Sequence, residues 1–409
     1  MDKSDLAWVT ASTLLVLMMT VPGLALFYGG MARARHVLSV LTQVLGTCAL
    51  ALALWFLYGY SLAFTTGSGV IGGFSRLLFS GLYTPGGAST MPLAGAIPEM
   101  AFAAFQATFA GITCALITGS VAERARFGGM LLFTALWFTL AYLPIAHMVW
   151  APDGWLLRRG ALDFAGGTVV HINAGVAGLV CAWLIGPRKG YGREAMPPHN
   201  LPMNMTGAAL LWVGWFGFNA GSALGINEVA VLAFINTLLA TAGAILAWSL
   251  IERLTKGRAS LLGATSGAVA GLVGITPAAG LVAPGGALLI GLLAAAAGVY
   301  GVNRLKRLLR ADDTFDVFGI HGVCGIVGAL LTGVFNSGSL GGPGGAGAGP
   351  MLAQVWLQFE GVLVTIAWSA IAAWIAYRIA DKACGMRCSP EDEQRGLDQA
   401  DHGETAYQR

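Results

Sequence analysis

The stretch DFAGGTVVHINAG, residues 163–175, sets one aspartate and one histidine among small and apolar residues. A shorter stretch, DVFGIHGVCG at 316–325, resembles it and also carries one aspartate and one histidine. The spacing H-x-x-x-G-x-x-G begins at His171 in the first stretch and at His321 in the second. Because both halves place a histidine at the same point of the same pattern, we expect the two halves to be structurally related.

The composition around these stretches is that of an integral membrane protein. Of 409 residues, 56% are hydrophobic and only 11% are charged, against about 25% charged in a typical soluble domain. The mean hydropathy is +0.70, and the net charge of +3 is too small to indicate nucleic-acid binding. The chain lacks the alternating ten-residue segments of a membrane barrel, so we expect helical spans. The 59 glycines predict helices packed backbone to backbone.

The six cysteines predict neither a disulfide framework nor a metal site. Those inside apolar spans are simplest to interpret as small hydrophobic residues, and the two in the charged tail have no histidines near them. The sequence also contains no nucleophile–base pair and no cofactor loop. We therefore expect no cofactor and no enzyme activity.

Apolar runs long enough for a helix of ~20 residues predict eleven spans. They are 6–30, 39–64, 95–119, 128–149, 165–186, 203–223, 229–252, 260–276, 281–302, 317–336 and 352–380. The first follows only Lys3 as a basic residue and has no clear cleavage site, so it is interpreted as a helix and not as a signal peptide. The predicted membrane domain is 1–380, and 381–409 is a polar cytoplasmic extension with nothing to bury.

The distribution of basic residues predicts the orientation. With eleven spans, 19 of the 23 lysines and arginines fall on one side of the membrane. Basic residues concentrate in cytoplasmic loops, so this side is cytoplasmic. The N-terminus is then outside and the C-terminus inside, and the expected location is the cell (inner) membrane.

The two histidine stretches fit an inverted repeat. The span 165–186 runs inward and 317–336 runs outward, with Asp163 and Asp316 near their respective helix N-termini, where a carboxylate can cap free N–H groups. Opposite directions with corresponding features indicate a five-plus-five inverted repeat, about 6–186 against 203–336, with 352–380 as an extra helix.

Several longer stretches resemble the ammonium transporter family (Amt/Mep/Rh), in particular its bacterial Amt branch. The resemblance covers essentially the whole chain and is carried by PGLALFYGG (22–30), DFAGGTVVHINAG (163–175), WFGFNAGSA (215–223), ITPAAG (275–280) and DVFGIHGVCGIVG (316–328). It implies eleven helices and a homotrimer with one narrow pore in each protomer.

The resemblance also implies roles for individual residues. His171 and His321 match the paired pore histidines of the family. Without the repeat, the simpler interpretation is that the two side chains only satisfy each other in an ordinary contact between helices. Trp150, Phe109 and Ser222 match an outer site that recruits ammonium, and Phe109 with Phe218 match a gate. The connection after Trp150, APDGW, is longer than expected of relatives; Trp150 is still preferred to Trp155, because it directly ends the fourth span.

Asp163 is left with two possible roles. It could contact the cation directly as part of the recruitment site, or it could cap the fifth helix and lend negative potential to the vestibule. Trp215, Asn219 and Thr276 match residues in the vicinity of the pore. No role is assigned to the remaining histidines, His36, His147, His199 and His402.

A mechanism follows from these roles. An ammonium ion is too costly to move through hydrocarbon uncompensated, so it would lose its proton behind the phenylalanine gate and cross as ammonia, with or without a separate proton transfer. Potassium has no proton to lose, so it would not cross the pore. Alternatives are an ammonium sensor with little transport and an Rh-type gas channel.

The tail SPEDEQRGLDQADHGETAY (389–407) resembles a regulatory C-terminus that a PII signalling protein recognises. Leu397 would be an apolar contact point for that protein. The alternative is a disordered tail, which the charge alone would predict.

Overall fold

A computed structural model describes residues 1–83, 91–344 and 350–407. Within these ranges the chain is almost entirely helical. Residues 84–90, 345–349 and 408–409 lie outside the described residues. A short antiparallel ladder, β1 (Leu93–Ala94) with β2 (Ile97–Pro98), precedes the third long helix.

Eleven long helical segments correspond to the eleven predicted spans. They are α1 (Lys3–Met31), α2 (Ala34–Phe64), α3 (Glu99–Val121), α4 (127–150), α5 (Gly167–Ile185), α6 (Leu201–Asn219), α7 (Glu228–Lys256), α8 (Leu261–Ile275), α9 (Pro284–Leu308), α10 (Phe318–Phe335) and α11 (Met351–Cys384). In the described part of the chain, nine are long and apolar enough to cross a membrane. The other two are α6, of 19 residues, and α8, of 15. The prediction of an all-helical membrane protein is confirmed.

Both histidines of the repeat lie in π-helical turns at the start of their helices. His171 is in the turn Gly167–Ile172 of α5, and His321 is in the turn Phe318–Val323 of α10. π-Helical turns inside α-helices often occur at functional sites. The two turns give the helices the same local geometry at the point where they meet.

Glycines allow α5 and α10 to approach each other closely at this point. A Cβ atom on Gly175 would lie 2.4 Å from the backbone nitrogen of Gly322. On Gly328 a Cβ would lie 2.1 Å from the carbonyl oxygen of Gly274 in α8. Side-chain atoms cannot fit at such distances, so Gly175 and Gly328 of the H-x-x-x-G-x-x-G pattern are required by backbone-to-backbone packing, which was the packing predicted from the glycine content.

The expected pairing of Asp163 with Asp316 in the inverted repeat is wrong. Asp316 has a φ of 59° and its carboxylate accepts a hydrogen bond from Lys306 at 2.9 Å, so it does not cap α10. The carboxylate at the start of α10 is that of Asp313, which accepts from the backbone N–H of Phe318 at 2.7 Å. The two histidines are 150 positions apart, and Asp163 and Asp313 share that offset. Asp316 is nearer in sequence to the histidine motif than Asp313, which is why it was expected to be the partner of Asp163.

The C-terminal extension is folded against the membrane domain, so the expectation that it has nothing to bury is wrong. Two short helices, α12 (Pro390–Arg395) and α13 (Leu397–His402), follow α11. Met386 and Leu397 are fully buried. Leu397 is therefore covered by its own chain and is not the free contact point that the sequence suggested. Because the tail buries these apolar side chains, its high charge alone did not predict whether it is folded.

Hydrogen bonds fix this tail to the first part of α2 and to the loop after α5. The Asp398 carboxylate accepts from the backbone N–H of Ser39 at 2.8 Å, and Glu393 accepts from the backbone N–H of Lys189 at 2.6 Å. Nearby, Arg188 forms ion pairs with Glu123 and Asp312 at 3.1 and 2.9 Å. Burial alone would raise the pKa of the Asp312 carboxyl, but the hydrogen bonds and charge of Arg188 lower that pKa below its ordinary value.

Candidate functional site

The centre of the candidate site is a direct contact between the two histidines. The Nδ1 atoms of His171 and His321 are 3.2 Å apart, and both side chains are buried. One ring nitrogen must donate and the other must accept, so a single Nδ1 proton is shared between them. The ring centroids are 5.3 Å apart and the planes are nearly parallel, at 22°. The structure thus brings together the two histidines that the sequence paired.

The histidines line a narrow apolar cavity. Its volume is about 10 Å³, close to the ~10–15 Å³ that a single water-sized molecule needs. Its other walls are apolar or aromatic, from Leu24, Phe27, Ile112, Leu116, Leu211, Trp215 and Val269. The buried Nε2 atom of His171 has no hydrogen-bond partner among the described residues. A small molecule with both a donor and an acceptor could therefore bind to the ring here.

Trp215 and Thr276 hold the histidine ring in place. The Trp215 ring stacks on His171 with centroids 5.3 Å apart, and its Nε1 donates to the Thr276 hydroxyl at 2.9 Å. Asn219 faces elsewhere, because its amide donates to Thr237 on α7 at 2.9 Å. Of the three residues predicted in the vicinity of the pore, two therefore contact each other beside the histidines and one does not.

Two phenylalanines separate the histidines from a second cavity. The rings of Phe109 on α3 and Phe218 on α6 are stacked, with centroids 4.2 Å apart and an interplanar angle of 26°. The Phe218 ring lies 5.9 Å from the His171 ring. Both phenylalanines are buried. This arrangement is that of a closed apolar barrier placed directly above the histidine pair.

A second cavity opens above the phenylalanines. It has a volume of about 190 Å³ and contains Trp150, Phe109 and Ser222, so the three recruitment residues predicted from the resemblance do share one site. The Phe109 and Trp150 rings meet edge to face at 86°, 5.9 Å apart. The Ser222 hydroxyl donates to the carbonyl of Phe218 at 2.8 Å, which leaves its oxygen free to accept. The remaining walls come from Phe64, Phe102, Gln106, Phe164 and Leu224.

Gln106 is the residue of this cavity that the sequence analysis missed. Its Oε1 is buried and has no hydrogen-bond partner among the described residues. It lies three positions before Phe109, hence one turn away on the same face of α3. A polar side chain one helical turn from an assigned site residue, in an otherwise apolar span, was the signal that could have identified it.

Asp163 is used to cap α5 and does not line the cavity. Its carboxylate accepts from the backbone N–H groups of residues 166–169 at 2.6–3.1 Å and from the Thr168 hydroxyl. Its backbone carbonyl accepts from Trp150 Nε1 at 3.0 Å. Trp155, the other candidate tryptophan, is 38% exposed and lies against Arg159. Asp163 therefore acts on the cavity through Trp150.

Comparisons with known proteins point to one family. A family model described as Ammonium Transporter Family matches residues 7–407. The chain is 44% identical over 410 residues to an ammonium transporter of Bacillus subtilis, covering 100% of this chain and 99% of the relative.

Solved structures have the same fold. The structure of Mep2 from Saccharomyces cerevisiae superposes with a TM-score of 0.85 at 34% identity, covering 95% of this chain and 91% of that one. A structure described as a sensor Amt protein superposes with a TM-score of 0.90 at 28% identity, covering 98% of each chain. With the sequence motifs and the buried histidine pair, these matches establish that the chain belongs to the ammonium transporter family, whose members are membrane transporters and not enzymes.

Proposed function

We propose that this protein carries ammonium across the membrane by recruiting the ion at the outer cavity and passing ammonia between the two histidines. The observation that supports this route is one unbroken series of contacts. Trp150 contacts Phe109, Phe109 stacks on Phe218, Phe218 lies over His171, and His171 meets His321. The recruitment site, the barrier and the histidine pair thus follow each other along a single line.

The outer cavity has the chemistry to hold an ammonium ion. Aromatic faces attract a cation by ~0.5–2 kcal/mol, and Trp150, Phe109, Phe64, Phe102 and Phe164 supply aromatic walls. The Ser222 oxygen and the unpartnered Gln106 carbonyl can each accept one N–H hydrogen. The half-buried Asp163 adds negative potential without contacting the ion, since its oxygens are occupied by the helix cap.

The inner cavity is suited to the neutral molecule. A buried unpaired charge is far more costly than a buried hydrogen-bonded neutral group, and the described walls around the histidines carry no carboxylate. Ammonia can donate to the His171 Nε2 lone pair and accept from an imidazole N–H. Ammonium would therefore lose its proton at the phenylalanine barrier, and potassium, which has no proton to lose, would be excluded. The histidine pair is also placed to relay that proton as a separate step.

A sensor with little transport is a second candidate, favoured by the close superposition on the structure described as a sensor Amt protein. Uptake of labelled methylammonium by cells that lack their own transporter distinguishes the two. Uptake above background that unlabelled ammonium competes away supports transport. Specific binding of ammonium to the purified protein with no uptake would instead favour the sensor.

We further propose a homotrimer in the cell (inner) membrane, with the N-terminus outside and the C-terminus in the cytoplasm. The membrane domain would be 1–380, built from the repeats 6–186 and 203–336 and the eleventh helix, with 381–409 as the regulatory tail. The orientation is supported by the basic residues, because 19 of the 23 lysines and arginines fall on one side of the predicted spans and such residues concentrate in cytoplasmic loops. Exposed leucines on α7, such as Leu246 and Leu254, offer apolar surface to neighbouring protomers.

A PII signalling protein is the proposed cytoplasmic partner. The docked tail lies beside a loop rich in basic residues, because Glu393 accepts a hydrogen bond from the backbone N–H of Lys189. An acidic or nucleotide-bound partner could contact both surfaces at once and cover the pore exit. Because Leu397 is buried, this recognition would use the exposed face of the tail. In this arrangement, PII binding when nitrogen is plentiful would stop uptake.

A further inference from the structure

His147 on α4 is fully buried, and both of its ring nitrogens face hydrogen-bond acceptors. Nδ1 lies 2.9 Å from the carbonyl oxygen of Ala63, and Nε2 lies 2.8 Å from the carbonyl oxygen of Ser68. A carbonyl oxygen only accepts. A neutral imidazole carries one N–H and could satisfy only one of these contacts, leaving two lone pairs facing each other at the second. Both contacts are satisfied together only when both nitrogens carry protons.

A counter-ion for this charge is present. The Asp153 carboxylate approaches Nε2 of His147 at 3.4 Å through Oδ1, while its Oδ2 accepts from the backbone N–H of Gly67 at 2.7 Å. The hydrogen bond from Gly67 is the main reason that the pKa of Asp153 lies below its ordinary value. A buried cation needs such a partner to be stable. Asp153 belongs to the APDGW connection, the segment in which this chain differed from the expected pattern.

The other groups around the ring are uncharged or already occupied. The end of α2 and the outer loop at 65–73 contribute carbonyl oxygens and contain no acidic or basic residue. Arg158 lowers the pKa of Asp153 further. In the segment before α5, the carboxylate of Asp163 is occupied by its cap. The protonation of His147 is therefore governed by the two carbonyls and by Asp153.

The position of His147 connects this charge to the outer cavity. Ala63, whose carbonyl it contacts, is followed by Phe64, and His147 lies one helical turn before Trp150. Phe64 and Trp150 are both walls of that cavity. On the other side of the ring, two hydrogen bonds join the loop at 65–73 to the segment after Trp150. The backbone N–H of Gly67 donates to the Asp153 carboxylate, and the backbone N–H of Trp155 donates to the carbonyl of Gly69.

From these contacts we infer that His147 is held as an imidazolium, paired with Asp153, and is a positioning residue that sets the spacing of Phe64 and Trp150. The second half of this inference rests on the proposed function, because it assigns His147 to the recruitment cavity. The first half, the charge state, does not. The pair joins α2, α4 and the outer loop through one ring.

The charge state is tested by ¹⁵N NMR of the full-length protein labelled at histidine, at neutral and mildly alkaline pH, with the H147Q spectrum for assignment. We expect an N–H at both Nδ1 and Nε2 of His147, as its contacts with the carbonyls of Ala63 and Ser68 require. His199 is an internal control, since its partners are one carbonyl and the Tyr407 hydroxyl, which can donate or accept. A single protonated nitrogen on His147 at neutral pH would overturn the inference.

The positioning role is tested with D153N and H147Q in methylammonium uptake. The D153N change keeps a side-chain oxygen for the Gly67 N–H but removes the negative charge. We expect a rise of roughly three- to tenfold in half-saturation, about the effect of losing one hydrogen bond, and loss of the doubly protonated NMR signal in D153N. Wild-type half-saturation in both variants would overturn the positioning role. If the wild-type protein itself transports nothing, the proposed function fails while the NMR result on His147 stands.

Discussion

The indole nitrogen of Trp150 donates a hydrogen bond to the backbone carbonyl of Asp163 at 3.0 Å. The same aspartate caps α5 with its carboxylate, so one residue fixes both the helix that carries His171 and the tryptophan of the outer cavity. Of the two roles considered for Asp163, these contacts favour the helix cap.

Replacing Asp163 should therefore harm both stability and recruitment. In D163A the N–H groups of residues 166–169 lose their acceptor, and a lost cap of this kind costs about 1–3 kcal/mol. D163N keeps one carbonyl oxygen as an acceptor, so we expect it to be intermediate. Thermal unfolding in detergent and methylammonium uptake measure the two effects. If D163A unfolded like the wild type but lost uptake, direct contact with the ion would be the better explanation.

The histidine pair should control selectivity. In H171A or H321A the shared Nδ1 contact is lost and the narrow cavity is enlarged, so we expect loss of proton-linked ammonium currents or new currents with potassium. Currents on solid-supported membranes measure both ions. H402A is a matched control, because His402 lies in the tail next to Phe127. Wild-type currents and selectivity in both pore variants would contradict the proposed route.

Recruitment should depend on Ser222 and Trp150 and not on Trp155. S222A removes one acceptor and W150L removes an aromatic face, so half-saturation should rise by roughly three- to thirtyfold for contacts of about 0.5–2 kcal/mol each. W155L is the control, since Trp155 is outside the cavity and partly exposed. Uptake is measured across substrate concentrations at matched protein abundance. Equal effects of W150L and W155L would remove Trp150 from the site.

The close approach of α5 and α10 should make Gly175 intolerant of a methyl group. A Cβ there would meet the Gly322 backbone at 2.4 Å, and overpacking of this kind costs about 1–3 kcal/mol. G285A is the matched control, because a Cβ on Gly285 has no heavy atom within 4 Å in the described chain. We expect G175A to lower the melting temperature and G285A to leave it nearly unchanged. Equal melting temperatures would show that the helices can separate without cost.

The tail should be required for regulation by PII. Truncation after Lys382 removes Met386 and Leu397 with all their contacts to the membrane domain. We expect the full-length protein to bind PII in the ADP state and to lose uptake on binding, and the truncated protein to bind less. A pull-down with the host's PII protein, with and without ADP and 2-oxoglutarate, measures binding. Equal binding by both proteins, or none by either in any nucleotide state, would exclude this role.

Residues in long apolar spans were the most predictable part of the molecule. Each predicted span contains a helix, and the resemblance to the family correctly paired His171 with His321. Resemblance to the family placed Trp150, Phe109, Phe218 and Ser222 together. These features depend on local periodicity or on long matching motifs, and both can be seen in a single sequence.

The errors arose where contacts between distant segments decide the structure. Asp316 was paired with Asp163 because it is nearer to the motif, although Lys306 occupies its carboxylate. The tail was expected to have nothing to bury because its charge is high, yet its Met386 and Leu397 side chains are fully buried. His147 was given no role because neither the carbonyl of Ala63 nor that of Ser68 can be recognised as its partner from sequence.

The contact between two identical nitrogen atoms, Nδ1 of His171 and Nδ1 of His321, gives the pair two tautomeric states. In one, His171 is the donor and its Nε2 is free to receive a proton; in the other, His321 is the donor. A proton entering at His171 Nε2 and leaving from His321 Nε2 converts the first state into the second. A further proton in the same direction must wait until the tautomers reset, while a proton in the opposite direction can pass at once. After each proton passage, the tautomeric state of the pair therefore records the direction in which the proton moved. Ammonia that crosses without proton exchange leaves this tautomeric state unchanged.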